Sequence, residues 1–313
     1  MNTPTLAPAG LPIAAVERDT GLAKDTLRVW ERRYGFPLPV RDSHGERVYS
    51  PEQVDKLRLI RRLIDQGLRP AKLIGLDPQA LGQMLDELGG PRADDDPERT
   101  AHFQAILKFV RLHLHEDLRR TLQQSLMKTG LQQFVTGVVA PLNHVVGDAW
   151  LRGELEVAEE HLYTEQVQNI LRTAISTQTS TTRERPIVML TTFPDEQHAL
   201  GLLMVEAMIA PEGACCVSLG IQTPLEDIRA AATAGRFDII AVSFSGAYPA
   251  RLAIEGLRSL RTALPETIAL WAGGAGLRGA ERKLPGVKVF KTLEEVPAAL
   301  HAWRRDAEAT LQP

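Results

Sequence analysis

From residue 187 onward, short apolar runs alternate with longer stretches of helical spacing. Residues 187–190, 214–219, 239–242, 268–271 and 287–290 read as strands, and the spacing predicts helices over 198–209, 225–234, 251–263 and 293–304. Repeated strand–helix alternation implies a parallel, doubly wound, Rossmann-like α/β sheet. Upstream the period changes. Residues 101–180 are rich in Leu, Gln, Glu and Ala, with apolar positions at helical spacing and almost no strand signal, which predicts a four-helix bundle. Residues 1–76 are helical with turn signals, and the Gly/Pro/Asp-rich stretch LGGPRADDDPERT (88–100) reads as a connector. The expected organisation is therefore a multidomain α and α/β chain with domains at 1–80, 81–182 and 183–313. No internal repeat or low-complexity tract interrupts it.

Composition narrows this picture. The chain has 313 residues, 44% apolar and 24% charged, enough for two or three globular domains with cores of their own. No apolar stretch approaches the roughly 20 residues of a membrane helix. The N-terminal MNTPTLAPAG lacks the basic-then-apolar layout of a signal peptide. A cytoplasmic protein without membrane contact is expected. The two cysteines, Cys215 and Cys216, sit side by side in an apolar run, which suits small core filler and leaves no disulfide framework or cysteine metal cluster. The net charge of −3 hides an asymmetry: residues 1–75 hold 13 Lys+Arg against 9 Asp+Glu, and the rest of the chain 23 against 30. The N-terminal part suits a polyanion.

Its residues sharpen that reading. LPIAAVE (11–17), the turn Thr20-Gly21-Leu22 and KDTLRVWERRY (24–34) have the spacing of two short helices around a glycine turn, a helix-turn-helix. Thr26, Arg28, Arg32, Arg33 and Tyr34 on the second helix are candidates for phosphate or base contacts in a major groove of double-stranded DNA. RDSHGERVY (41–49) follows as a hairpin with a His-Gly turn, a wing in which Arg41, His44, Arg47 and Tyr49 are further DNA candidates. Ser50, Pro51 and Gln53 form the start signal of another helix, with Ser50 as cap and Gln53 completing a capping box. Together these segments resemble the DNA-binding domain of the MerR family of transcription regulators, over residues 11–75. Ala23 departs from that family's pattern, which often has a Ser cap on the recognition helix.

The C-terminal region carries a second pattern. PDEQHALG (194–201) follows the first strand, in the kind of loop where open parallel sheets bind ligands. A lone histidine in a loop is more often a packing residue. Here Ser243 and Ser245 stand at the end of the third strand, and Gly273-Gly274 at the end of the fourth. The order Glu196-x-His198-x-x-Gly201, then Ser243-x-Ser245, then Gly273-Gly274 resembles the cobalamin-binding domain. That resemblance implies that His198 supplies the lower axial nitrogen to cobalt and that Glu196 orients its ring. It also implies that Ser243 hydrogen-bonds the nucleotide tail while Gly201, Gly273 and Gly274 let the backbone approach it. Ser245 stands where the family pattern has Leu, so that corner of the tail pocket departs from the pattern. The rival reading of Gly273-Gly274 as a nicotinamide-dinucleotide turn is weak, because no Gly-x-Gly-x-x-Gly follows the first strand.

In the bundle, Trp150 precedes Glu160-His161 by the spacing Trp-x9-Glu-His. Alone this suits a bundle aromatic and a solvated helix end. Beside the cobalamin pattern it resembles the upper-face motif of helix-turn-helix regulators that bind adenosylcobalamin. There the Trp packs against the adenosyl group, which offers it apolar area, and the Glu and His line the same face. The chain as a whole is similar to the B12-dependent photoreceptor repressors of the MerR family, the CarH/LitR class. The resemblance implies adenosylcobalamin as cofactor, with methylcobalamin as an alternative form. It also implies a homo-oligomer on operator DNA in the dark, expected to be a tetramer, and release of DNA when light breaks the cobalt–carbon bond. Leu151 replaces a histidine that some relatives place after the Trp, so the upper cobalt ligand after photolysis would be His144, His161 or water. Two other readings stay open: a MerR-type regulator sensing cobalamin or redox state without photochemistry, and a corrinoid-dependent enzyme subunit. The chain has no room for a TIM barrel of typical size, which argues against the enzyme.

Overall fold

The computed structural model describes residues 10–42, 44–65, 68–88, 96–151, 153–178 and 185–311. They fall into two compact units. One holds the chain up to His102 together with Val145–Val157, the other Phe103–His144 and everything from Ala158 onward.

The first unit opens with β1 (Leu11–Pro12), α1 (Ile13–Thr20) and α2 (Lys24–Tyr34). It continues through β2 (Val40–Arg41), β3 (Arg47–Tyr49), α3 (Pro51–Asp65), α4 (Pro70–Leu73) and α5 (Pro78–Leu88). Leu11-Pro12, expected inside the first helix, instead pairs antiparallel with Val48-Tyr49, and β3 pairs with β2 on its other side. The fixed φ of Pro12 suits an edge strand that ends where the helix begins. Gly21 and Gly35 end α1 and α2 in the left-handed conformation, at φ 65 and 70. The cap that Ala23 lacks comes from the preceding helix: Lys24 N–H donates to Glu17 Oε1 at 3.0 Å, and the Lys24 ammonium lies 3.3 Å from the same carboxylate. Ser50 caps α3 by accepting the Gln53 N–H at 3.4 Å. The capping box does not close, however. The Gln53 amide accepts from Leu38 N–H at 2.6 Å and donates to Leu38 C=O at 2.9 Å, fastening the segment before the wing. Leu81 and Leu85 of α5 share one core with Val16, Leu27, Trp30, Leu57 and Ile60. The N-terminal domain thus runs on through α5 rather than stopping at residue 80.

In the second unit α6 (Pro97–Arg111, from Phe103), α7 (His115–Thr129), α8 (Leu131–Phe134), α9 (Ala140–Leu151, as far as His144) and α10 (Val157–Gln178, from Ala158) make the helical part. A π turn over Val135–Val139 joins α8 to α9. Pro141 has no N–H to close an α-turn onto Gly137, which favours a widened turn there. The sheet follows as β4 (Ile187–Thr191), α11 (Leu200–Ile209), β5 (Cys215–Gly220), α12 (Leu225–Ala234), β6 (Ile239–Ser243), α13 (Ala250–Ala263), β7 (Ala269–Gly273), β8 (Val287–Phe290) and α14 (Glu295–Leu311). All its pairings are parallel, in the order β5-β4-β6-β7-β8. Ile240, Val242, Leu257, Leu260, Leu270 and Phe244 build a core on one face. The buried Asp238 ties the entry to β4 by accepting from Ile187 N–H at 2.8 Å and pairing with Arg185. Burial holds the Cys216 thiol well above its ordinary pKa, as suits an inert filler. Gln132 of α8 joins the helices to the sheet by donating at 2.8 Å to both Met208 C=O and Glu212.

This order places the reversal of winding between β4 and β6. In such sheets the crevice beyond the strands' carboxyl ends at this point is the usual ligand position.

Candidate cofactor site and nucleic-acid interface

The loop that leaves β4 at the crevice is built around Thr192. Its buried hydroxyl donates to Glu196 C=O at 2.9 Å and accepts the Gln222 N–H at 2.9 Å. Asp195 takes a left-handed φ of 69, which turns Glu196 inward, where it is 1% exposed. The Glu196 carboxylate accepts four hydrogen bonds. Oε1 takes His198 N–H at 3.0 Å, His198 Nδ1 at 2.6 Å and the Ser245 hydroxyl at 3.2 Å, while Oε2 takes Ser245 N–H at 2.7 Å. Burial pushes this carboxyl's pKa up, but the bonds from His198 and Ser245 outweigh it and the net shift is downward. The same bond to Glu196 raises the His198 pKa against the effect of burial.

An ionised carboxylate only accepts, so His198 Nδ1 carries the proton and the Nε2 lone pair is left for another partner. The His198 side chain remains 61% exposed. A histidine held through Nδ1 with an accessible Nε2 is the arrangement of a metal-ligating imidazole supported by a carboxylate. One such imidazole can serve a metal whose other ligands come with its cofactor. Ser245, expected in the tail pocket, braces Glu196 through its N–H and its hydroxyl.

Two glycines shape the floor of the crevice. A Cβ on Gly201 would stand 2.2 Å from Ser243 Oγ, so α11 approaches the end of β6 only because that residue has no side chain. Gly274 has φ 107, and a Cβ there would meet Phe244 C=O at 2.1 Å. Phe244 N–H donates to Gly273 C=O at 3.0 Å, binding the loops after β6 and β7 to each other. A Cβ on Gly273 would make only ordinary contact with Phe290.

Of the bundle residues, Glu160 accepts from Thr164 at 2.6 Å through Oε1 and meets His161 Nδ1 at 2.7 Å through Oε2. The Glu160 charge makes the smallest contribution to the shift of the His198 imidazole, an upward one, after the bond from Glu196, the opposing effect of burial and the Glu196 charge. Beneath them the buried Tyr163 donates to Asn143 Oδ1 at 2.6 Å, and Asn143 Nδ2 reaches Met204 Sδ of α11 at 3.7 Å. His144 is exposed. Trp150 is half-buried near the end of α9, in the other compact unit, and the Leu151 side chain lies outside the described residues. Thr192, Asn143 and Tyr163 escaped sequence reasoning; a Thr pair closing an apolar strand was the available signal for the first.

The N-terminal unit presents a different surface. Arg28, Arg32 and Arg33 are exposed on α2, with Thr26 and Tyr34 half-buried beside them. Arg28 pairs with Asp25 at 3.0 Å, and the Arg33 guanidinium lies 5.3 Å from the Tyr34 ring centre. Arg41 and His44 are exposed on the wing, whose turn is closed by Arg41 donating to Gly45 C=O at 2.6 Å. Two expected DNA residues are placed otherwise. Tyr49 is fully buried in the core with Leu27 and Trp30 and offers no surface to a duplex. Arg47 is bound to Glu31 of α2 at 2.9 Å, a strut between wing and recognition helix rather than a projecting cation.

Comparison with known proteins agrees with both halves. The family model for the MerR HTH family regulatory protein matches residues 11–79, and the model for a B12 binding domain matches residues 99–174. The HTH-type transcriptional repressor CarH of Myxococcus xanthus is 31% identical over 260 residues, covering 82% of this chain and 86% of that protein. The HTH-type transcriptional repressor CarA of the same organism is 30% identical over 271 residues, covering 86% and 88%. The monomethylamine corrinoid protein of Methanosarcina barkeri shares the fold at a TM-score of 0.52 and 14% identity, over 65% of this chain and 99% of that one. With the MerR-type helix-turn-helix, the B12-binding region and this identity along most of its length, the chain belongs to the family of the CarH and CarA transcriptional repressors, regulators rather than enzymes.

Proposed function

We propose that this chain is a light-responsive, cytoplasmic repressor that uses adenosylcobalamin to control its hold on operator DNA. The observation that carries the reading is the His198 imidazole, tied to Glu196 through Nδ1 and accessible through Nε2 at the sheet's switch point. When bound, adenosylcobalamin supplies a cobalt–carbon bond that visible light cleaves. His198 Nε2 would supply a nitrogen ligand to the cobalt, with Glu196 and Ser245 fixing the ring that presents it. Ser243, Gly201, Gly273 and Gly274 receive the nucleotide tail at the floor of the crevice. Trp150 offers apolar area to the adenine, and Glu160 with His161 meets the ribose hydroxyls. Arg28, Arg32, Arg33, Arg41 and His44 hold phosphates and base edges. Several copies of the domain on one operator gain by avidity, so an oligomer, expected to be a tetramer, binds far more tightly than its parts. The light signal acts through the difference in cofactor affinity between assembled and separated states.

The test is oligomeric state and operator binding by the full chain with adenosylcobalamin, in the dark and after green light. A dark oligomer that binds DNA and loses both properties on illumination is the expected result. Cobalamin binding that controls DNA without any light effect would support a cobalamin or redox sensor instead, a reading that Leu151, where some relatives have histidine, favours. Retention of the full cobalt–imidazole spectrum in a His198→Ala chain would overturn the axial assignment.

A further inference from the structure

Helix α9 is shared between the two compact units, and its last turns, from Val145, belong with the DNA-binding domain. Within those turns Asp148 forms an ion pair with Arg62 of α3, the two side chains being 38% and 17% exposed. Just past the helix the chain turns at Gly153, with φ 71, where a Cβ would lie 3.4 Å from Arg58 Nη1 and 3.7 Å from Asp55 Oδ1. Arg58 is in turn held by both oxygens of Asp19 on α1, at 2.8 and 3.1 Å, and by Asp55 at 2.7 Å. The end of α9 and its following turn therefore sit on a charged platform made by α1 and α3. That platform shares its core with the recognition helix, since Leu57 and Ile60 of α3 pack in one cluster with Leu27 and Trp30 of α2. Asp148 precedes Trp150 by two residues, about 200° around a helix, so the two side chains leave nearly opposite faces of α9. One face is joined to the DNA-binding domain, and the other carries the aromatic candidate for the cofactor's upper side.

We propose that the Arg62–Asp148 pair is a coupling clasp that ties α3, and through it the recognition helix α2, to the helix bearing Trp150. Any change in the surroundings of Trp150 is passed to the DNA-binding domain through this pair. The proposal rests on the reading that the cofactor controls DNA binding. Asp148 lies outside the helix-turn-helix, so Asp148→Asn tests the clasp without removing a cation from the DNA-facing domain.

The experiment compares wild type, D148N and the charge swap R62D/D148R as full chains in two measurements. The first is amide hydrogen exchange over residues 145–157 and α3. The second is the ratio of operator affinities with and without adenosylcobalamin in the dark. D148N is expected to speed exchange in both segments and to shrink the affinity ratio about fivefold, the low end of typical couplings between sites. The swap is expected to restore both. Unchanged exchange in D148N would overturn the clasp, and faster exchange with an unchanged ratio would overturn its coupling role. A wild-type ratio of one would instead overturn the cofactor-controlled reading, with the exchange measurement still deciding whether the clasp exists.

Discussion

The Glu196 carboxylate allows a sharp prediction, because its two oxygens do different work. Oε1 serves three donors, His198 N–H, His198 Nδ1–H and the Ser245 hydroxyl, and Oε2 serves Ser245 N–H alone. In Glu196→Gln the amide oxygen settles where Oε1 was, since the alternative sets an NH₂ against three donors. The NH₂ then faces Ser245 N–H, donor to donor, across a 2.7 Å gap. One buried backbone donor is orphaned and the charge assistance on the remaining bonds is lost, a stability cost of about 1–3 kcal/mol. The imidazole keeps its tautomer but is held less firmly, and loss of such a supporting partner typically lowers metal affinity about 10- to 100-fold. Ser245→Ala removes only the 3.2 Å bond and keeps the N–H, so about 0.5–1 kcal/mol and a small change in affinity are expected. Urea unfolding of the full chain reads the first quantity, and absorbance titration with hydroxocobalamin reads the second. A Glu196→Gln chain of wild-type stability that binds cobalamin with unchanged affinity and spectrum would refute the claim that this carboxylate orients His198.

Other parts of the structure carry their own tests. Gly201→Ala puts a Cβ 2.2 Å from Ser243 Oγ, and overpacking of this kind costs about 1–3 kcal/mol. Adding Ser243→Ala should recover much of that loss, as measured by a double-mutant cycle in urea. Glu17→Ala removes the group that caps α2 from outside it, so operator affinity should drop several-fold while cobalamin titration stays at wild type. Arg32→Ala and Arg33→Ala each remove an exposed cation of α2, and each is expected to weaken binding and lower the slope of log K against log salt by about 1. Equal slopes in wild type and variants would remove those two residues from the phosphate contacts.

Legibility in the sequence followed the range of the interaction. The parallel sheet was readable because each strand is a local apolar run, and Leu225–Ala234 and Val287–Phe290 fall where the spacing put them. The site's spacing was also readable, since the fold must deliver the ends of β4, β6 and β7 to one edge. What each serine does there was not readable. The partner that Ser245 meets, Glu196, is 49 residues away. The same limit explains the N-terminal revisions. Ala23 is a poor cap by identity, and only the folded turn shows Glu17 filling the role. Gln53 fits a capping box by spacing, yet Leu38 offers its amide both a donor and an acceptor, which the helix start alone cannot. Tyr49 reads as a wing residue, but strand alternation turns it into the core while leaving its neighbours half-buried.

The motif Trp-x9-Glu-His shows how a compact sequence pattern divides in space. Its Trp falls with the DNA-binding unit, and its Glu-His falls with the unit that holds His198. A motif confined to one unit would report the cofactor only to its own surroundings. Here α9 begins among the helices that meet α11 through Asn143 and Met204, and it ends on the platform of Asp19, Asp55, Arg58 and Arg62. Pro141, in the first turn of α9 just after the π turn, has no N–H to give to the helix ladder. On the proposed reading the coupling runs through the last turns of α9, so the variants that uncouple the protein should lie there, at Asp148 and its partner Arg62. Pro141→Ala, which returns a donor to the ladder, should leave the dark affinity ratio intact under that view. A collapse of the ratio in Pro141→Ala would place the coupling at the start of α9 instead of its last turns.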